Sequence, residues 1–390
     1  LNLFDQAYDR TGTSEKYDLR EQLFGRVDVT PMWVADTDFA VPGCVQRALS
    51  DRINHPLYGY QEPRPERTLA AIQWWLESQH RITVSTDDIL LSPSVVTSMG
   101  VAIDAFTNEG EGVGFFTPVY PPFFKMAAYN KRRGVEIPLI KEGARYRIDF
   151  DALREALPRM KLLIFAHPHN PSGRVWSVDD LKRLLTMCRG AGVKIFSDEI
   201  HSDLVYEPHQ HHPFLNLPDA EDTILMAHSI GKTFNCAGLR ASYVVIPSSN
   251  MRDRFFNSQK KTHTDEISCL GKVALAAALT KEGVGYRRTL LEYLSGNISL
   301  ANEMLSQGLP MVDVMVPEST FLVWVDFSAI PLSAKALRDR LIDVARVGFS
   351  PGHAYGEPGK GYYRINVGLQ RPKLREALER VVSVLDDVAK

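Results

Sequence analysis

Six short apolar runs, at residues 89–91, 113–116, 162–166, 193–197, 224–227 and 243–246, constrain the fold more than any other feature of this chain. They are continuous rather than alternating, which is the pattern of strands buried on both faces. Helical patterns such as 95–107 and 178–191 lie between them. Strand–helix alternation of this kind builds an α/β unit, a mostly parallel sheet covered by helices on both sides. From about Gly283 the pattern changes. A helical stretch runs to about Gln307, followed by an apolar run at 320–326, a helix near 333–345, a strand at 362–367 and a last helix from Pro372. That succession predicts a second, smaller α+β domain.

Composition excludes several classes of partner. With a net charge of −2 over 390 residues, no global basic field attracts nucleic acid or anionic membrane. Lys131-Arg132-Arg133 is expected to be solvated surface. No apolar run approaches a membrane span, and the first residues lack the charged region and apolar core of a secretory leader. Cys44, Cys188, Cys236 and Cys269 form no Cys-x-x-Cys pair and no disulfide spacing, which fits a reducing cytoplasm. His209, His211 and His212 cluster, but no Cys or carboxylate pair flanks them at ligand spacing. A polar loop and no metal are expected there.

Chemistry enters at Ala227-His228-Ser229-Ile230-Gly231-Lys232-Thr233, directly after an apolar run. Gly231-Lys232-Thr233 looks like the end of a P-loop, but that motif needs a glycine where Met226 stands. Ser229-x-x-Lys232 matches penicillin-binding enzymes, yet their Ser-Asp-Asn and Lys-Thr-Gly companions are absent. A third reading adds Arg240: the lysine amine forms a Schiff base with an aldehyde cofactor, while Ser229 and Arg240 hold its phosphate. Taken alone, so short a motif carries little weight against a solvated loop lysine.

Open parallel sheets bind ligands beyond the C-terminal ends of their strands, and the polar residues at those ends form a set. Asn170, in His167-Pro168-His169-Asn170-Pro171, can bond a phenolic ring oxygen or simply make an Asn-Pro turn. Asp198, in Asp198-Glu199-Ile200-His201, can keep a pyridinium nitrogen protonated or cap a helix. His201 can add a hydrogen bond near the ring oxygen. The turn Ser92-Pro93-Ser94-Val95-Val96 opens a helix whose first amides attract phosphate. Tyr120 can stack on a planar ring or pack in a core. Arg364 can hold an α-carboxylate with its fork or sit in a surface ion pair.

In their order and placement these residues resemble the fold-type I pyridoxal-phosphate enzymes of the class I/II aminotransferase superfamily, over almost the whole chain. The resemblance implies a seven-stranded mostly parallel sheet in a large cofactor-binding domain at 51–282. It implies a smaller domain at 283–390, to which the N-terminal segment 1–50 belongs. The cofactor would be pyridoxal 5′-phosphate. Lys232 would be the catalytic Schiff-base lysine, Asp198 the partner of the ring nitrogen and Asn170 that of the ring oxygen. Tyr120 would stack on the ring beside His201. Ser229, Arg240, Val95, Val96 and Ser94 would hold the phosphate. Arg364, with Asn170, Tyr120 and Ala35, would contact the amino-acid substrate. Tyr60 matches a tyrosine that reaches the phosphate of a neighbouring subunit, which implies a homodimer with shared active sites.

Pro31-Met32-Trp33-Val34-Ala35-Asp36-Thr37-Asp38-Phe39, the His55-Pro56 pair and His201 are similar to the MalY/PatB-type carbon–sulfur β-lyase branch. Members of that branch cleave cystathionine, cysteine or related conjugates. Thr37, Ser94 and Pro121 depart from its usual Met, Gly and second aromatic. The same Lys, Asp, Asn and Arg also serve an aminotransferase, so only the branch signatures favour elimination. Some relatives of the branch bind a transcription activator, a role that leaves no mark in the sequence.

Overall fold

The computed structural model describes residues 3–389. Seven strands form its larger sheet, in the spatial order Ile89–Ser92, Ser242–Val245, Ile224–Ser229, Lys194–Asp198, Leu162–Ala166, Gly112–Thr117 and Arg133–Pro138. All neighbours are parallel except Ser242–Val245, which runs antiparallel to the strands on both sides of it. Continuous apolarity is explained by what covers the sheet. Along Leu162–Ala166 every residue is buried. Leu162, Ile164 and Ala166 join an apolar cluster with the helix Val95–Phe106, while Leu163 and Phe165 join another with the helix Val178–Gly190. Both helices begin at a serine, Ser94 and Ser177, whose hydroxyl accepts an amide of the first turn. Such a cap stabilises a helix by about 1 kcal/mol.

Arg133–Pro138 is the strand that apolar runs do not reveal. It lies at the edge of the sheet, and only Val135 and Ile137 within it are buried. The basic cluster leading into it is not simply solvated surface. Arg132 donates to the Thr107 hydroxyl (2.8 Å), the Thr107 carbonyl (2.7 Å) and the Asn130 carbonyl (2.5 Å), tying the helix-to-strand turn together.

A second sheet of five strands has the order Thr30–Met32, Val347–Pro351, Tyr362–Asn366, Leu322–Asp326 and Asp313–Met315. Thr30–Met32 pairs parallel with Val347–Pro351, so the start of the chain is stitched to its end. The helix expected at 333–345 is an α-helix, Ala334–Asp339, continued by a π-turn, Arg340–Val344. The helix Gly43–Asn54 packs on Cys269–Ala278 and spans the expected boundary at residue 50. Lys281–Gly308 is one uninterrupted helix docked on the last helix, Arg371–Ala389. No helix among the described residues is long and apolar enough to cross a membrane.

Candidate active site

A cavity of about 390 Å³ opens at the C-terminal ends of the parallel strands. Its floor follows from the sheet. Asp198 ends its strand, in register with Ala166 on one side and Ala227 on the other. It is followed by a turn, not a helix, so the capping alternative fails. Its carboxylate accepts from the Ile200 amide at 3.2 Å. Burial raises its pKa to about 6, against the lowering effect of that amide and of nearby Lys232 and His228.

Lys232 stands three residues past the end of Ile224–Ser229. The Ser229 hydroxyl accepts from the Gly231 amide (3.0 Å) and donates to the Ala241 carbonyl (2.8 Å), closing the loop at both ends. The Lys232 amine donates to the Ala35 carbonyl at 2.5 Å. Burial first, then repulsion from Arg364, lowers its pKa to about 8, while Asp36 and Asp198 oppose that shift. An amine tuned this way is far closer to its nucleophilic, proton-accepting form at neutral pH than an ordinary lysine.

Ser94, Val95 and Val96 also line the cavity, at the start of the helix Val95–Phe106. Ser94 takes the Thr97 amide, and no acceptor among the described residues takes those of Val95 and Val96. Arg240 joins them from an exposed position in the left-handed backbone region, φ 53°, without an ion-pair partner among the described residues. Two free amides, a helix N-terminus and an unpaired guanidinium make an anion site. An anion site, a buried carboxylate and an amine on the walls of one cavity fit a phosphate-bearing pyridine aldehyde.

Tyr120 lines the wall, edge-on to Phe123 with ring centres 6.4 Å apart. Asn170 is buried, and its side-chain oxygen accepts from Arg364 at 2.9 Å. Gly173 closes the turn after Asn170 at φ 69°; a Cβ there would meet Pro317 at 2.4 Å. Arg364 stands behind Asn170, also donates to the Trp33 carbonyl (2.8 Å) and lies over the Tyr355 ring. It is therefore no surface ion pair, and its Nε has no partner. His201 is buried on the wall with an unpartnered Nδ1, and burial holds its pKa well below the usual histidine range. Tyr60 is not brought to this cavity. It is fully exposed, on a loop beside exposed Leu57 and Tyr58.

The signature segment 31–39 forms the roof, but the side chains that hold it are absent from the sequence reading. Ala35 lines the wall within a segment held by distant side chains. Asn366 donates to the Val34 (2.6 Å) and Asp36 (2.7 Å) carbonyls, and Asn235 to those of Thr37 and Phe39. Arg10 and Lys16 pair with Asp36 and Asp38. One signal for Asn366 was available: it lies two residues after Arg364 on a strand, and so faces the same way.

The histidine loop also departs from expectation. His211 is buried, and its Nε2 lies 2.7 Å from Glu199, whose chain neighbour is Asp198. Spacing along the chain could not show this, because Glu199 and His167 reach the loop only through the fold.

Residues 28–381 match the aminotransferase class I and II family. The chain belongs to that family. Cystathionine beta-lyase PatB of Bacillus subtilis is 38% identical, covering 98% of this chain and 99% of that protein. Protein MalY of Escherichia coli is 31% identical, covering 98% of each. Cystalysin of Treponema denticola, whose crystal structure contains pyridoxal 5′-phosphate, superimposes with a TM-score of 0.95 at 29% identity and covers 99% of both chains. A PLP-bound putative aminotransferase from Clostridium difficile also scores 0.95, at 33% identity over 99% of this chain and 100% of that one. This family member thus matches, over nearly its whole length, proteins named as a lyase and as an aminotransferase.

Proposed function

We propose that this chain is a pyridoxal-5′-phosphate-dependent carbon–sulfur β-lyase. It cleaves cystathionine, cysteine or S-substituted cysteines to pyruvate, ammonia and a thiol. The observation that carries the reading is one cavity whose walls hold the amine of Lys232, with a pKa of about 8, the Asp198 carboxylate and a built anion site. The likeness to PatB and to cystalysin supports it.

When bound, the cofactor supplies a conjugated sink for negative charge at the substrate's Cα. The protein's residues do the rest. Val95, Val96, Ser94, Ser229 and Arg240 bind the phosphate, and Lys232 anchors the aldehyde. Asp198 would keep the ring nitrogen protonated, Asn170 and His201 would serve the ring oxygen, and Tyr120 would pack against the ring. Arg364, whose Nε is free and whose Nη1 is shared with Asn170, binds the substrate carboxylate. The Lys232 amine would take the proton from the substrate's Cα. The thiolate then leaves from Cβ, and water completes the products as pyruvate and ammonia.

The same residues suit an aminotransferase, and the Clostridium difficile neighbour's name keeps that reading alive. One assay separates the two. Cystathionine and S-methylcysteine should yield pyruvate with no keto acid present, and a strict need for a keto-acid acceptor would reverse the assignment. We further propose a cytoplasmic homodimer in which exposed Tyr60 completes the phosphate site of the partner subunit. Its apolar surroundings, Ile53, Leu57 and Tyr58, support an interface there.

A further inference from the structure

One buried carboxylate close to the lysine loop has no task in the proposed reaction. Asp203 ends the turn 200–203, which follows the strand of Asp198 and also carries His201. Asp203, Thr233 and His228 are buried, and none of them lines the cavity. Trp75 Nε1 donates to Asp203 Oδ1 at 3.0 Å, and His80 Nε2 lies 2.8 Å from the same oxygen. Both side chains come from the helix Glu66–His80. The Thr233 hydroxyl donates to Oδ2 at 3.1 Å, and His228 Nε2 lies 3.4 Å from that oxygen. The Arg287 guanidinium, 3.6 Å from Oδ1, supplies a countercharge. The buried charge is therefore paired, and its oxygens are occupied by donors from separate parts of the chain.

What Asp203 holds through Thr233 is the peptide that carries Lys232. Gly231, the residue before the lysine, is tied by its amide to the Ser229 hydroxyl at 3.0 Å. Thr233, the residue after it, is tied by its hydroxyl to Asp203. The Phe234 amide closes the turn on the Ile230 carbonyl at 3.1 Å. The Cα of Lys232 thus has a side-chain tie on each flank, one to a strand end and one to a carboxylate fixed by a helix. An amine on a flexible four-carbon stem reaches a reacting atom productively when its Cα is held. A misplacement of about 1 Å can cost about 100-fold in rate.

We infer that Asp203, acting through the Thr233 hydroxyl, is a positioning residue for the Lys232 amine. The inference rests on the reading of Lys232 as the amine that meets the cofactor aldehyde. Asp203 lies outside the cavity and does no chemistry of its own. It ties the turn that follows Asp198 to the loop that carries Lys232. The acid and the amine proposed to serve one cofactor are therefore linked behind the cavity wall as well as facing each other's surroundings within it.

The test compares two measurements on the full-length apoprotein. One is the rate at which the Lys232 amine joins the aldehyde of saturating pyridoxal 5′-phosphate, with loss of water, trapped by borohydride and located by peptide mass. The other is affinity for 4′-deoxypyridoxine phosphate, which has the ring and phosphate but no aldehyde and so reads the site without the lysine. Thr233→Val, which keeps the shape and drops the hydroxyl, should join the cofactor about 10–100-fold more slowly, with affinity for the deoxy compound within about twofold of wild type. Asp203→Asn should act in the same direction, and Thr233→Ser should restore the rate. General loosening of the fold would instead lower rate and affinity together. A wild-type rate in Thr233→Val overturns the inference, as does a parallel loss of affinity. Neither measurement uses pyruvate release, so the lyase reading can fail while this inference stands.

Discussion

Floor and roof of the cavity are built in opposite ways. Asp198, Asn170, Ser229 and Lys232 sit at or within a few residues of strand ends, so backbone ladders of the large sheet fix their positions. The roof, residues 33–38, has no such ladder beyond its first neighbours. It is held by side chains from distant places, among them Arg10 and Lys16, Asn235, Ser350, Arg364 with Asn366, and Gln370. A floor fixed by main-chain register preserves one cofactor geometry. A roof fixed by side chains can be retuned one residue at a time, and in the proposed reaction it is this side, with Ala35 and its clamp Arg364, that would meet the substrate.

The sharpest way to break this contrast is Lys232→Ala. It should abolish the long-wavelength absorbance of the bound cofactor and lower pyruvate release about 10²–10⁴-fold, the usual scale for losing a proton-transfer group. Near-wild-type turnover would remove the floor's central member. Arg364→Ala should act mainly on the roof, because Asn170, its one floor contact, keeps its place beyond the strand end. Losing a charged hydrogen-bonding partner costs about 2–3 kcal/mol, or roughly 30–150-fold in kcat/KM, with the cofactor spectrum unchanged. A spectral change of Lys232→Ala size would mean that floor and roof are not separable.

Asp198→Asn tests the floor through stability. The folded-state pKa of Asp198 is raised to about 6 from 3.8, so the folded protein holds a proton that the unfolded chain has lost between those values. Ionised Asp198 therefore lowers the stability of the apoprotein as pH rises through that window. The asparagine variant should be more stable above pH 6, on the order of 2–3 kcal/mol, with the gain vanishing below pH 4. Paired urea titrations of the two apoproteins measure it. A gain independent of pH would show that packing, not charge, is responsible. The smallest effect is expected for Tyr60→Phe. One lost hydrogen bond, about 1 kcal/mol, should weaken cofactor binding roughly fivefold. Sedimentation should show an unchanged dimer, and unaltered affinity would place Tyr60 outside the partner's site.

The same contrast explains what the sequence revealed. Six strands of the large sheet were legible because burial on both faces demands unbroken apolar runs, and the floor residues were legible because they follow those runs directly. Arg133–Pro138 was not, since an edge strand needs only Val135 and Ile137 buried. The roof clamps were hidden for another reason: Asn235 and Asn366 act on main-chain carbonyls some 200 and 330 residues away, which no local pattern records. His211 was misread because its partners, too, come only from the fold.

Ser242–Val245 carries one last consequence. Because it turns back between two strands running the other way, Ser242 stands level with both Ser229 and Ser92. The stretch from 230 to 241 is thus a fixed span between two locked posts, and Lys232 and Arg240 lie near its two ends. The separation of cofactor anchor from phosphate clamp is a length set by the loom of the sheet. An inserted or deleted residue cannot be passed along the strands and must alter that length itself.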